Sequence, residues 1–294
     1  MSVSASSRLA LGTVQLGLSY GVANRQGQVS REEGARIVHR ARVAGLDTLD
    51  TAIAYGESER RLGEIGVDGW RVITKLPAVP ADTSDVPAWV ERSVTGSLAR
   101  LGTSRLAGLL LHRSRDLLTP FGDALWTSML ELQRRGLVAK VGVSVYDPEE
   151  LDALWPAFPL ELVQGPFNVL DRRLATSGWL SRLHSAGTEI HVRSVFLQGL
   201  LLMESGNRPS KFARWQSVWR EWDAWLAEAG RSSLESCLQC ALAHPEIDRV
   251  VVGVDTLHQL EEILAGASGN GAAPPQLLVT EDLDLINPSH WNAL

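Results

Sequence analysis

Eight short apolar runs, each followed by a stretch of helical period, constrain the fold of this chain more than any other feature. They fall at 8–16, 47–52, 71–76, 106–112, 140–145, 160–167, 189–195 and 249–254. Many are apolar almost throughout, as strands covered on both faces must be. The segments between them carry helix punctuation. Ser30 precedes REEGARIVHRARVAG with Glu33 three places on, a capping-box pattern, and Gly45 closes the segment. Pro87 stands near the start of DVPAWVERSVTGSLARLG and Gly102 at its end, and PFGDALWTSMLELQRRG stops at Gly136. In DPEELDALWPAF, Asp147 is the predicted N-cap and Pro148 the first helical residue. Eight alternations predict an α/β protein with a parallel sheet. The count of eight, and the lack of G-x-G-x-x-G after the first run, favour a closed (β/α)8 TIM barrel over an open doubly wound sheet. The 294 residues suit one such domain spanning 1–294.

Two regions interrupt the rhythm. The segment around 196–214 is long and carries Gly, Pro and Asn near 205–210, which predicts a mobile loop. After it, Trp215, Trp219, Trp222 and Trp225 recur at helical spacing, so one helix face collects all four and is expected to pack against the barrel or a partner. The tail, about 268–294, opens with a Gly/Ala/Pro linker and is predicted to reach back over the barrel. Cys237 and Cys240 form a lone C-x-x-C in SLESCLQCALAH, which reads as buried helix rather than a redox or metal site. No metal is expected. Hydrophobic residues at 45%, charged residues at 21% and a net charge of −6 describe a soluble globular chain without a basic nucleic-acid footprint. There is no signal-like start and no run of 18 apolar residues, which predicts a cytoplasmic protein with no membrane partner.

Asp50, Tyr55, Lys75 and His112 each fall at or just after the end of a predicted strand. In a closed β/α barrel those ends converge on one mouth. Reducing a carbonyl delivers hydride to carbon, so charge grows on oxygen and a positioned acid must supply a proton. Tyrosine can do this, and a nearby ammonium lowers its reference pKa of about 10. Lys75 is placed for that role, and Asp50 for pairing a buried lysine. His112 is placed to hydrogen-bond and orient the substrate oxygen. Each residue alone has a plainer reading as a helix cap, rim aromatic, solvated strand end or core histidine. Their convergence favours chemistry.

DTLDTAIAYGESERRLGE resembles the D-T-A-x-x-Y-G-x-S-E-x-x-L-G signature of the aldo-keto reductases. VITKL and GLLLHR resemble that family's lysine and histidine strands, GVSVYDPEELDAL its G-V-S-N segment, and LVQGPFNVLDRR its Q-x-x-[YF]-N-x-L segment. QGLL, CALAHPEIDRVVVGV and HQLEEIL resemble its later blocks, so the similarity runs from about residue 9 to residue 292. The resemblance implies a barrel that uses NADPH or NADH without a Rossmann fold and reduces an aldehyde, ketone or sugar carbonyl. It implies Tyr55 as general acid, Lys75 and Asp50 as its electrostatic support, and His112 as the orienting residue. Ser144 and Gln164 match positions that hold the nicotinamide carboxamide. Gly199 and Leu200 match a backbone region that meets the pyrophosphate. Gly253 and Asp255 fall at the end of the eighth strand, and Gln259 and Glu262 match positions near the adenine.

Departures from the pattern fall at both ends of that implied site. Val145 stands where asparagine is usual, which removes one carboxamide contact. Arg193 stands where an aromatic often stacks on the nicotinamide; a guanidinium plane also stacks on rings, but beside an oxidised ring it weakens binding. Asp255, Thr256 and His258 replace the lysine or arginine that pairs with a 2′-phosphate, and an aspartate suits a free ribose hydroxyl. The helix N-terminus at Thr256 still attracts an anion, so NADH and NADPH both stand.

The expected partner is a small-molecule carbonyl substrate. Arg113, Arg208, Lys211 and Arg214 offer either a solvated basic face or a grip on an anionic sugar derivative. Two other functions fit the same residues: a cofactor-sensing or auxiliary subunit without turnover, and an epimerase that reduces and reoxidises a retained cofactor. Oligomeric state is not legible.

Overall fold

The computed structural model describes residues 5–269 and 278–292. Eight parallel strands close into a barrel in chain order. They are β1 (Leu9–Gly12), β2 (Thr48–Asp50), β3 (Arg71–Leu76), β4 (Gly108–Leu111), β5 (Val141–Ser144), β6 (Leu162–Pro166), β7 (Glu189–Arg193) and β8 (Arg249–Gly253). Closure is made by β1 on β8, with Leu9 opposite Val250 and Gly12 opposite Gly253. All eight predicted runs are strands. The first is shorter than predicted because Thr13 turns away, its amide and hydroxyl both donating to the Asp50 carbonyl at 3.0 and 2.9 Å. Val14–Gly17 then form one helical turn.

Helices alternate with the strands: α1 (Arg31–Val43), α2 (Ser58–Ile65), α3 (Val86–Leu101), α4 (Gly122–Arg134), α5 (Glu149–Leu154), α6 (Trp179–Ser185), α7 (Gln216–Ala229), α8 (Ser233–Leu242) and α9 (Leu257–Ala267). The main apolar core fills the ring between strands and helices. A second, small cluster of Ile73, Leu110 and Leu162 plugs the barrel itself. Interior residues therefore stack in layers, with polar side chains above and below an apolar plug.

Local chemistry explains several helix ends. Ser30 caps α1 by accepting from the Glu33 amide at 3.2 Å. The other half of that box does not close, because the Glu33 carboxylate instead accepts from the Leu257 amide at 2.6 Å and ties α1 to the start of α9. A full capping box forms at Ser232 and Glu235. Asp147 accepts from the Glu149 amide at 3.0 Å, and Pro148 is itself the N-cap, so α5 begins one residue later than predicted. Gly102 ends α3 in the left-handed conformation, φ +65°.

The long segment after β7 is tied down on both sides of the predicted mobile stretch at 205–210, and residues 205–207 are exposed. It forms the turns Leu200–Leu202, Ser205–Asn207 and Ser210–Trp215 before entering α7. The indole nitrogens hold it: Trp219 donates to the Phe212 carbonyl at 2.9 Å and Trp222 to the Leu201 carbonyl at 3.2 Å. The tail returns across this segment. Trp215 donates to Asp282 at 2.8 Å and Lys211 to the Trp291 carbonyl at 2.7 Å. The Gly/Ala/Pro linker at 270–277 lies outside the described residues. Cys237 and Cys240 are free and buried on α8. Burial raises both thiols, Cys240 to about 11, so they are inert at neutral pH. Among the described residues no cluster of metal-ligating side chains occurs, and no helix is long and apolar enough to cross a membrane.

The barrel floor is ionic. Glu189 accepts from Arg71 and Lys140, both at 2.7 Å, and from the buried His191 at 2.8 Å. Burial alone would raise this carboxyl; the bonds from His191 and Lys140 overcome it and hold it well below the usual carboxylate range. A carboxyl lowered on folding stabilises above its unfolded pKa of about 4.3, and that stability is lost as pH falls through the folded value. Glu189→Gln is therefore expected to lose about 1–2 kcal/mol in urea unfolding at pH 7, with the deficit shrinking below about pH 4. A deficit that is constant with pH would contradict the ion-paired floor.

Candidate active site

The turn that carries Tyr55 is clamped from several sides. The Tyr55 amide donates to the Ala52 carbonyl, and its own carbonyl accepts from the Ser58 amide, both at 3.0 Å. The Ser58 hydroxyl donates to the Thr13 carbonyl at 2.8 Å and lies 3.1 Å from the Thr51 hydroxyl. One residue further, Glu59 is buried and accepts from Thr74 at 2.7 Å, Ser97 at 2.6 Å and Arg100 at 2.8 Å. It locks α2 onto β3 and α3. Gly17 lies so close to this turn that a Cβ there would fall 1.7 Å from the Tyr55 carbonyl oxygen.

Asp50 and Lys75 come from the adjacent strands β2 and β3 and meet at 2.7 Å. Lys75 is 1% exposed and also donates to the Thr51 carbonyl at 2.9 Å. The second Asp50 oxygen accepts from the Gln164 amide at 2.7 Å. Burial lowers the Lys75 ammonium, and the Asp50 charge opposes this. The ammonium lies 5.2 Å from the Tyr55 ring centre, and His112 meets that ring edge-on at 5.6 Å. All four predicted catalytic residues therefore come together.

Their electrostatics differ from the sequence expectation in one respect. Tyr55 is raised rather than lowered, first by burial and then by Asp50, while Arg193 opposes both. The Lys75 charge is engaged by Asp50, so the pair presents little net charge to the phenol. The result is a hydroxyl that stays protonated. His112 is lowered to about 4 by burial, Lys75 and Arg193, so it is neutral at ordinary pH.

Asp50, Tyr55 and His112 line one end of a cavity of about 600 Å³, and Lys75 lies buried behind them. Tyr20 and Tyr146, more than a third exposed, lie on its rim. Gln164, Arg193, Gly199, Gly253, Asp255, Gln259 and Glu262 all line it, as expected. Ser144 and Leu200 are buried outside the lining; Ser144 sits opposite Gln164 in register, and Leu202 and Met203 face the cavity instead of Leu200. Gln15, Asn24, Tyr20 and Tyr146 line the cavity without having been singled out. Gln15 and Tyr146 follow the ends of β1 and β5, so the strand-end rule that found Lys75 points to them as well.

The far end of the cavity is bridged by the loop after β1. There Asn24 donates to Asp255 at 3.0 Å; toward the catalytic end the same loop is held by Gln198, which donates to the Tyr20 hydroxyl at 3.2 Å. Asp255 is raised by burial, against that Asn24 bond. Its amide donates to the Gln259 side chain at 2.7 Å. Two side-chain oxygens in the lining, on Gln15 and Gln164, are buried without a partner.

The basic grip on an anion that three loop residues offered is not formed. Arg208 pairs with Asp223 at 2.6 Å and lies over Trp219. Arg214 pairs with Asp284 at 2.6 Å, and Lys211 holds the tail. None of the three lines the cavity, and Arg113 is an exposed partner of Asp116.

A closed β/α barrel with a tyrosine, an ammonium–carboxylate pair and a neutral imidazole at the strand ends defines the class of this protein. The chain belongs to the aldo/keto reductase family, which matches residues 8–268. It is 29% identical over 201 residues to the aldo-keto reductase str7 of Strobilurus tenacellus, covering 65% of this chain and 57% of that one. It is 26% identical over 182 residues to the aldo-keto reductase YhdN of Bacillus subtilis, covering 58% and 53%. The chain thus spans little more than half the length of these curated relatives. Among solved structures, an aldo-keto reductase from Bacillus halodurans in its holo form superposes with a TM-score of 0.73 at 21% identity, covering 94% of both chains. A putative aldo-keto reductase from Pseudomonas aeruginosa gives 0.66 at 21% identity, covering 89% of both.

The Gly17 contact makes a direct test of how Tyr55 is placed. Gly17→Ala is expected to displace the Tyr55 turn, lowering the melting temperature and cutting any turnover by about 100-fold, the scale of a misplaced catalytic group. A crystal structure of the variant with Tyr55 unmoved would contradict the clamp.

Proposed function

We propose that the protein is a nicotinamide-dependent oxidoreductase that interconverts a small-molecule carbonyl and its alcohol, with Tyr55 as the proton donor. The observation that carries this reading is the meeting of a protonated phenol, a neutral imidazole and the buried Lys75–Asp50 pair at one end of a cavity large enough for a ligand. The cavity suits a nicotinamide dinucleotide. The unpartnered oxygens of Gln15 and Gln164 are acceptors awaiting donors, such as a carboxamide or ribose hydroxyls. Gln164 would hold the carboxamide, Gly199 and Gly253 would lie against the pyrophosphate and ribose, and Asp255, Gln259 and Glu262 would meet the adenosine. When bound, the nicotinamide supplies or accepts the hydride.

The chain's own residues do the rest. Tyr55 hands its hydroxyl proton to the substrate oxygen as charge grows there. His112, neutral, hydrogen-bonds the same oxygen and orients it. The Lys75–Asp50 pair holds the donor end polar without exposing it to water, and the Gln164 amide fixes the Asp50 orientation.

The distal lining favours NADH over NADPH. Asp255 and Glu262 lie there, and no Lys or Arg among the described residues lines that end. A 2′-phosphate would meet two carboxylates and no counter-charge.

Titrating the protein with each cofactor, following quenching of its ten tryptophans, is expected to show NADH at least about tenfold tighter, with Asp255→Asn narrowing the gap. Tighter NADPH would sink the NADH assignment. Tyr55→Phe is expected to keep cofactor affinity and lose at least about 100-fold in kcat across a carbonyl panel. Because His112 is neutral above about pH 4, the acid limb of kcat/KM should fall near that value rather than near the ordinary histidine range. Full activity in Tyr55→Phe would remove the tyrosine from the chemistry.

A further inference from the structure

Arg193 brings an unneutralised charge into the cavity. It ends β7 and lies over the Tyr146 ring, 4.4 Å from its centre. Its two hydrogen bonds go to neutral oxygens, the Val145 carbonyl at 3.1 Å and the Ser194 hydroxyl at 3.2 Å. Of the other part-buried arginines, Arg71, Arg173, Arg208 and Arg249 hold the carboxylates of Glu189, Asp171, Asp223 and Asp47, while Arg8 is held by the backbone carbonyls of Leu242, His244 and Ile247 and Arg61 by that of Val29; none of them lines the cavity. Arg193 makes no ion pair within 4.0 Å among the described residues. Of the five N–H donors of a guanidinium, two are used. A part-buried cation without a counter-ion is costly, so the site is built to receive one.

The charge belongs to the catalytic end. It opposes the upward push of burial on the Tyr55 and Tyr20 hydroxyls, and it adds to burial in lowering His112 and Lys75. Asp255, at the far end, is shifted by burial and Asn24 alone. The backbone after Arg193 is also constrained, with Ser194 at φ +62°, Leu197 at +48° and Gln198 at +54°. Such conformations are held only where the surroundings impose them.

We propose that Arg193 sets the substrate class: a carbonyl compound carrying a carboxylate or phosphate close to the reacting carbon. The oxyanion pairs with the free guanidinium donors while the carbonyl oxygen meets Tyr55 and His112. A guanidinium fork matches the oxygens of both anions, and its face can carry a ring at the same time. Tyr20 and Tyr146 supply flat surfaces at the rim for the remainder of the substrate. The proposal rests on the oxidoreductase reading of the same site.

Matched substrates test it: glyceraldehyde against glyceraldehyde 3-phosphate for phosphate, and butanal against succinic semialdehyde for carboxylate. The wild type is expected to favour at least one charged member by about tenfold or more in kcat/KM. Arg193→Met should cut the charged-over-neutral ratio of kcat/KM by about 30-fold or more, mostly through KM for the charged member, with Arg193→Lys between. Equal loss on both twins, or no preference in the wild type, overturns the assignment. A calorimetric titration with glycerol 3-phosphate, 4-hydroxybutyrate and glycerol needs no turnover. Binding of an anionic alcohol that Arg193→Met abolishes upholds the proposal even if no carbonyl is reduced, which would refute only the redox reading. Binding that is unchanged in Arg193→Met, or binding of neither anion, overturns it.

Discussion

A lysine almost wholly removed from water must find a counter-charge or give up its proton, and much of this barrel mouth is arranged around that requirement. Asp50 meets Lys75 from the neighbouring strand, Thr51 offers its carbonyl, and Gln164 reaches across from β6 to hold the second carboxylate oxygen. The pairing fixes where β2 ends and therefore where the turn to Tyr55 begins. Because the pair is nearly neutral as a unit, it supports the phenol by shape and polarity more than by net charge. The unbalanced charge in the cavity is left to a residue on another strand, Arg193.

The two ends of the cavity are consequently unlike. Arg193 stands with Tyr55 and His112, and Asp255 and Glu262 stand at the far end. Tyr55 and His112 both keep their uncharged forms at ordinary pH, for a shared reason: burial penalises phenolate and imidazolium alike. Groups that do not ionise suit the roles proposed for them, in which charge appears only on the substrate.

Much of this was legible in the residues. Strand ends are marked by where an apolar run stops, so Asp50, Lys75 and His112 were found by position, and Tyr55 by the motif around it. The barrel followed from the count of runs. What escaped was decided by partners far away in sequence. Glu33 leaves its own helix cap for Leu257, and Arg208, Lys211 and Arg214 spend their donors on Asp223, the tail and Asp284. No local pattern reports such contacts. Leu200 was assigned through its backbone; its side chain is buried outside the lining, to which the neighbouring Gly199 belongs. That Asp50 would occupy the Lys75 ammonium was anticipated, but its consequence for Tyr55 depends on distances that spacing does not supply.

Asp50, Tyr55, Lys75 and His112 lie on or just after the consecutive strands β2, β3 and β4, and need only local β/α units to assemble. The far end of the cavity is different. Gln15 and Asn24 follow β1, whereas Gly253 ends β8 and Asp255 follows it, and these two strands are joined by hydrogen bonds but by no short connection. That seam joins the strands farthest apart in sequence and so carries the largest loop-closure entropy of the ring. A ligand lying along the cavity would bridge the seam and act as its staple, tying ligand occupancy to the integrity of the ring at its most costly junction.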